Sequence, residues 1–448
     1  MSYSEIRLST HAFVPKSELK AAPESIMNAL TITSRFEDKL KIDLSKQTAT
    51  HFGYPLYLRD YKLFTDNLID ERSCGSPIDI HMASDFSLRE NQKPILENFQ
   101  LQLQLGRTGW LINMPTGSGK TIIACAMMQK IAKTTLIIVP REHLLNQWKE
   151  RILQFTDTKE EEIGLAQQDI CDFEQKKIVL GMIHSLAKDK YPTTFKNFFG
   201  LVIWDEVHVA AAQTFSQTLS IFAPKYRIGM SATLQRRDGL DDIYRWSIGE
   251  ETLSINPHTL ITPTIYQLTY KTKKKNNAIE FINNTQHRRG MLISTLAKDN
   301  ERNALLAIQI KKIAATGRRL VVFSERKQQL QTLLNLLHKD NIENVQLFTG
   351  DTKESERKQI LETSSVLLAT YGVMSMGIDV PDLRALIFAT PQSNVAQTVG
   401  RILRLCPGTL DPIVIDLIDV VYQDCIYWSR SRKKFYTQVA QAKIIPLE

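Results

Sequence analysis

Residues 111–132 read LINMPTGSGKTIIACAMMQKIA, and this stretch limits the fold more than any other. A short apolar run reads as a buried strand, two glycines form a turn, and the residues after them carry apolar side chains at helical spacing. Strand, glycine loop and helix in immediate succession make up half of a βαβ unit, so the chain is expected to build an open parallel sheet. The loop departs from the strict G-x-x-x-x-G-K-[ST] pattern, because Met114 stands where the first glycine belongs. Its chemistry survives that change. Around Thr116, Gly117, Ser118 and Gly119, backbone N–H groups would turn towards phosphate oxygens at the helix N-terminus. Lys120 would reach the β- and γ-phosphates of a nucleoside triphosphate, and the Thr121 hydroxyl would ligate Mg2+.

The same alternation runs on through TLIIVP, HLLNQWKERILQF, KIVLGM, LVIWDE and RIGMSAT, and restarts at RRLVVFS, KQQLQTLLNLLHKD, NVQLFTG, SSVLLAT, ALIFAT and DPIVIDLID. Two α/β domains in tandem are therefore expected, at 86–250 and 251–448, joined by a Pro-, Asn- and Lys-rich connection. Residues 1–85 read differently. EIRLST suggests a strand, PKSELKAAPESIMNAL a helix and HFGYPLYLRDYKLF an aromatic strand pair, together a small α+β accessory domain. A chain of 448 residues with 43% hydrophobic content can bury that many cores.

Composition narrows the function classes. No apolar run approaches the roughly 18–20 residues of a membrane span, and the N-terminus lacks the apolar core of a signal peptide. The five cysteines form no CxxC pair and have no suitably spaced histidine, so neither zinc nor a disulfide framework is signalled. A reducing, cytoplasmic compartment is expected. The net charge of +8 is uneven, with about +9 in residues 261–448. That excess fits a polyanion partner or a solvated surface equally well. The run KTKKK at 271–275, with Arg288 and Arg289, adds to it. Similarly, the aromatics of residues 51–64 suit the core of a small domain or a base-stacking platform.

About 85 residues beyond the loop comes WDEVH, residues 204–208, closing an apolar strand. Adjacent carboxylates at a strand's C-terminal end lie where α/β sheets bind ligands. Asp205 would hold Mg2+ through its water shell, and Glu206 would orient and deprotonate the attacking water. SAT follows at Ser231–Thr233.

PTGSGKT, DEVH and SAT in this order resemble the superfamily 2 helicases and translocases of the DExH kind, over roughly residues 86–405. The fold that the resemblance implies is two RecA-like parallel-sheet domains. SLRENQ is similar to the segment that reads adenine, with Arg89 and Gln92 as candidates. VPREHLLNQW and GMIHSL look like backbone-contacting motifs, offering Arg141 and Ser185. VVFSER and LFTGDTKESER resemble early motifs of the second domain. ATYGVMSMGIDVP resembles the motif that touches both strand and nucleotide, offering Thr370, Tyr371, Gly377 and Asp379. QTVGRILR looks like the closing arginine motif, in which Gln397, Arg401 and Arg404 share one helical face. An arginine reaching across a cleft to the γ-phosphoryl group is worth about 10³–10⁵ in rate. Closure of the two domains would then complete the site, and His208, Ser231 and Thr233 would couple nucleotide state to strand grip.

LQRRDG, residues 234–239, is similar to a signature of the DNA-repair branch, which includes XPB-like helicases and the UvsW-type branch-migration helicases of tailed phages. The resemblance implies an ATP- and Mg2+-dependent motor that grips DNA phosphates regardless of sequence, acts on forked or branched DNA, moves 3′ to 5′ and works as a monomer. An RNA-dependent ATPase and a duplex-tracking motor subunit remain as alternatives.

Overall fold

The computed structural model describes the chain apart from residues 1–2, 36–39, 59–64, 85–86, 115–117, 213, 237, 255–261, 274, 375–381, 394, 396–397, 400–409, 439–441 and 448. The chain divides into two compact units, Met1–Ile255 and Asn256–Glu448.

The first unit begins with short strands: β1 (Ile6–Leu8), β2 (Ala12–Pro15), β3 (Thr31–Thr33), β4 (Lys41–Asp43), β5 (Lys46–Gln47), β6 (His51–Tyr54) and β7 (Leu68–Asp70). Five of them form a sheet in the order β5-β6-β2-β1-β7, and β3 pairs with β4 separately. Strand β2 shows the half-buried alternation, with Ala12 and Val14 inward. Helix α1 (Pro23–Leu30) starts on a proline, whose fixed φ suits a first helical turn. Ile6, Ala12, Val14, Leu30, Phe52 and Tyr54 make a small core. Phe52 and Tyr54 of the aromatic stretch thus pack inward, while its residues 59–64 lie outside the described residues. The β3–β4 pair packs elsewhere: Ile32, Leu40, Ile42 and Leu44 join the core of the large sheet that follows.

That sheet contains β8 (Gly109–Asn113), β9 (Thr135–Val139), β10 (Ile163–Gln167), β11 (Ile170–Cys171), β12 (Ile178–Met182), β13 (Leu201–Asp205), β14 (Tyr226–Ser231) and β15 (Glu251–Ser254). Their order is β11-β10-β12-β9-β13-β14-β8-β15, parallel throughout except for the β10–β11 hairpin. The strands are apolar almost without interruption because both faces are covered. Ile137, Ile203, Ile228 and Ile112 face one core with residues of α2 (Lys93–Gln104), α3 (Lys120–Ile131) and α4 (Glu142–Phe155). Ile138, Val202, Trp204 and Leu111 face the other, with Phe195, Phe199 and Tyr244. The unit extends to Ile255, a few residues past the expected 250/251 boundary, because β15 adds to its edge beside β8.

The second unit holds β16 (Thr264–Tyr270), β17 (Arg319–Ser324), β18 (Val345–Phe348), β19 (Val366–Thr370), β20 (Leu383–Phe388), β21 (Ile413–Asp419) and β22 (Lys443–Leu447). All are parallel, in the order β18-β19-β17-β20-β21-β16-β22. Leu320 and Val322 face one core, Val321 and Phe323 the other. Two fully buried ion pairs tie helices to β21: Arg302 to Asp419 at 2.7 Å, and Arg432 to Asp416 at 2.8 Å. The sequence reading places β16 in the connection between domains. In the structure it is an inner strand, whose Thr264, Gln267 and Thr269 disguise a run that buries Ile265 and Leu268.

Candidate nucleotide-hydrolysis site

Strands β8, β14 and β13 are neighbours, so Asn113, Ser231 and Asp205 end together at the C-terminal edge of the first sheet. Beyond β8, Gly119 turns the chain into α3 with φ +90°, a conformation open to glycine. A side chain there would also collide with Gln92, since an added Cβ lies 2.3 Å from Gln92 Nε2. Gln92 itself is fully buried. Its Nε2 donates to the Ser118 carbonyl at 2.9 Å, and its Oε1 accepts from the Arg89 backbone N–H at 2.9 Å. The amide thus braces the phosphate loop, while the Arg89 side chain is exposed. Thr116 and Gly117 lie outside the described residues.

After Asp205 the chain makes a strained turn. Glu206 has φ +49°, left-handed for a residue with a Cβ, at a cost of about 1–3 kcal/mol. The turn swings its carboxylate back to the loop lysine, with Lys120 Nζ 3.2 Å from Glu206 Oε1. Glu206 Oε2 lies 3.4 Å from His208 Nδ1. Asp205 is held from two sides: Trp148 Nε1 donates to Oδ2 at 2.9 Å, and the Glu206 N–H donates to Oδ1 at 2.9 Å.

These neighbours split the two carboxyls. Burial, reinforced by the charge of Glu206, raises the pKa of Asp205 above the usual range. Burial also pushes Glu206 upward, but the Lys120 ammonium and the His208 ring outweigh it and leave its pKa lowered. Burial lowers the pKa of His208 against the opposing pull of the Glu206 charge. The His208 Nδ1 pairs with Ser231 Oγ at 2.9 Å, and Ser231 Oγ in turn accepts from the Thr233 N–H at 3.1 Å. The expected coupling residues are therefore one hydrogen-bonded chain leading away from Glu206.

The donor set fits Mg2+. The Asp205 carboxylate and the Thr121 hydroxyl supply hard oxygens near the Gly119 turn. A bound triphosphate would draw Lys120 towards its own oxygens and leave Glu206 to take a proton from water. Two contributors are missed by the sequence reading. Trp148 lies within the VPREHLLNQW motif, and its side chain anchors Asp205. Arg236, in LQRRDG, donates through Nη1 to the His208 carbonyl and grips Asp238 through Nε at 2.9 Å and Nη2 at 2.5 Å.

The remaining candidates are more dispersed. Arg141 is exposed at the N-cap of α4. Ser185 is buried, and its Oγ accepts from the Gln168 N–H at 2.8 Å. Thr370 closes β19, and Tyr371 stacks on Phe323 at 5.4 Å while its hydroxyl donates to the Thr390 carbonyl at 2.8 Å. Gly377, Asp379, Gln397, Arg401 and Arg404 lie outside the described residues. Among the described residues no helix is long and apolar enough to cross a membrane.

Lys120, at a glycine turn after β8, faces the Asp205–Glu206 pair across the end of the intervening strand β14, an arrangement that could hold and hydrolyse a nucleoside triphosphate. Comparison with known proteins takes this further. The family described as "Type III restriction enzyme, res subunit" matches residues 85–236, and "Helicase conserved C-terminal domain" matches residues 300–406. The "Putative ATP-dependent RNA helicase L396" of Acanthamoeba polyphaga mimivirus is 28% identical over 94% of this chain and 80% of its own length. "Probable helicase D10" of Escherichia phage T5 is 28% identical over 81% of this chain and 78% of its own. The Hef helicase domain of Pyrococcus furiosus shares the fold, with a TM-score of 0.53 at 15% identity, covering 76% of this chain and 98% of that one. The chain is a superfamily 2 helicase, an ATP-hydrolysing enzyme with two RecA-like domains in tandem.

Proposed function

We propose that this helicase is a DNA-stimulated motor that remodels branched DNA, unwinding or branch-migrating forks and four-way junctions in recombination, repair or replication restart. The observation that carries the reading is LQRRDG. The signature that resembles the DNA-repair branch reaches the hydrolysis site through Arg236, which holds the carbonyl of His208. In this reading Lys120 and Thr121 hold phosphate and Mg2+, Asp205 the metal shell and Glu206 the water. Gln397, Arg401 and Arg404 sense the γ-phosphate, and Gly377 and Asp379 line the nucleotide. Arg141, Ser185, Thr370 and Tyr371 belong to the motifs that meet the strand. Residues 1–85 serve substrate choice.

A second reading has support of its own, because the mimivirus relative is named as an RNA helicase. The res-subunit match likewise favours a duplex translocase that leaves the strands paired. One experiment separates the three: ATP turnover at one fixed salt concentration with single-stranded DNA, duplex DNA, a fork, a four-way junction or RNA. The proposal expects the branched DNAs to stimulate most, with conversion of the junction visible on a gel. Stimulation by RNA alone would discard it. Stimulation by plain duplex without strand separation would leave the translocase.

A further inference from the structure

Because every strand of the second sheet is parallel, β16, β17, β19 and β21 all end at one edge, at Tyr270, Ser324, Thr370 and Asp419. Ligands of open α/β sheets gather at that edge. A satellite cluster stands beyond it, built from Ile279, Leu292, Leu296, Tyr422 and Cys425, with Trp428 packed against it. These residues come from the turn Asn277–Phe281 after β16, the helix Thr285–Ala297, and the segment after β21 that leads into the helix Gln423–Gln438. The satellite is firmly held. Arg289 pairs with Glu325, and Arg326 donates to Ser294 Oγ at 3.0 Å and to the Gly290 carbonyl at 2.9 Å. The Glu325 N–H bonds Thr390 Oγ1 at 3.0 Å, and Tyr371 bonds the same residue's carbonyl. The cluster is therefore bonded to the strand end that carries Thr370 and Tyr371.

From this support Phe281 projects into solvent, 82% exposed, and Tyr427 is 67% exposed. Among the described residues these are the two exposed aromatic side chains. A single exposed aromatic needs no explanation. Here both stand on one satellite, and charge gathers in the same place. Residues 271–299 hold seven lysines and arginines against two acids, and residues 423–438 hold four against one. These segments carry a net charge equal to that of the whole chain, +8. Lys271, Lys273 and Lys275 lie exposed just before Phe281. On the helix, Tyr427, Arg430 and Lys434 fall at i, i+3 and i+7 on the exposed face, while Cys425, Ser429, Arg432 and Tyr436 are buried.

Exposed aromatics set among cations, at a sheet's ligand edge, are the parts of a single-strand track: cations follow the phosphates and rings stack bases whatever their identity. We propose that Phe281 stacks an unpaired base of the nucleic-acid strand, with Tyr427 and the surrounding cations extending the strand path over the second unit. The inference rests on the nucleic-acid reading above and adds a contact outside the motifs that suggested it.

The test is fluorescence anisotropy with two labelled oligomers of equal length at one fixed salt concentration, one of thymidines and one an abasic backbone. Phe281→Ala should weaken binding of the thymidine oligomer about tenfold and leave the abasic one unchanged. Phe281→Trp should retain binding. Arg430→Glu with Lys434→Glu should weaken both oligomers and flatten the salt dependence. Thermal stability and ATP turnover without nucleic acid serve as controls for the fold, and an 82%-exposed side chain should disturb neither. If the wild type binds and Phe281→Ala binds thymidines equally well, or loses both oligomers equally, the stacking inference alone is overturned. Unchanged oligomer binding with lost self-association would make the patch a contact between copies, and would also overturn it. A wild type that binds neither oligomer, and hydrolyses ATP indifferently to nucleic acid, overturns the nucleic-acid reading as well.

Discussion

Replacing Trp148 with Phe removes one hydrogen-bond donor from the hydrolysis site, along with part of a buried ring. The indole is 1% exposed, and its N–H donates at 2.9 Å to Oδ2 of Asp205. A hydrogen bond to a charged group is worth about 1.5–3 kcal/mol. Its loss falls on the ionised form of a carboxyl that burial and Glu206 already push towards protonation. A metal needs that ionised form. The apparent affinity for Mg2+ should therefore fall about 10- to 100-fold near neutral pH, the usual effect of losing a group that supports a metal ligand. Raising the pH should recover part of the loss, because the proton that competes with the metal becomes scarcer. The assay is ATP turnover titrated with Mg2+ at about pH 7 and about pH 8.5, with a melting curve to show that the variant stays folded at the assay temperature. Equal Mg2+ half-saturation for wild type and variant at both pH values would refute the chain of reasoning from Trp148 through Asp205 to the metal.

Other parts of the structure make equally direct predictions. Gly119→Ala should weaken ATP binding more than about tenfold, because the methyl meets Gln92 at a φ of +90°; calorimetric titration with ATP checks it, and near-normal affinity would show that the turn is not fixed. His11, pushed down to about 3 by burial and then by Lys46 and Arg227, stays neutral in the fold, while the unfolded chain takes up a proton near 6.5. Stability from this site is complete above that pH and is lost as pH falls through it, about 2 kcal/mol by pH 5. Denaturant titrations should show His11→Gln free of that loss, and equal acid sensitivity in both proteins would contradict the assignment. Arg302→Met should cost about 3–5 kcal/mol by leaving Asp419 buried and unpaired. Adding Asp419→Leu should restore much of it, and a single-variant cost below about 1 kcal/mol would mean the pair is dispensable.

The elements most legible in the sequence are those buried on both faces. TLIIVP, KIVLGM and LVIWDE are continuous β-branched or aliphatic runs because helices and loops cover them on either side, and they appear as β9, β12 and β13. Strand β16 is harder to see. Its polar Gln267 and Thr269 break the apolar run, and only its place between β21 and β22 reveals it as sheet. The same division holds at the site. Lys120, Asp205, Glu206, His208 and Ser231 announce themselves because each sits at a strand end or glycine turn within a short motif. The parts played by Trp148 and Arg236 arise only on folding, since their partners Asp205 and His208 stand 57 and 28 residues away along the chain. Gln92 is an intermediate case. Its segment was legible as nucleotide-associated, but its brace on Ser118 depends on α2 packing beside α3.

The most direct test of the central claim follows one labelled four-way DNA junction in time, with ATP, for the wild type and for Glu206→Gln. The substitution keeps the side chain's shape beside Lys120 while removing its capacity to take a proton. The account predicts that the wild type converts the junction, and that the variant binds both ATP and junction yet converts almost none. Junction conversion by Glu206→Gln at the wild-type rate, or a wild type that hydrolyses ATP while leaving every branched DNA intact, would contradict it.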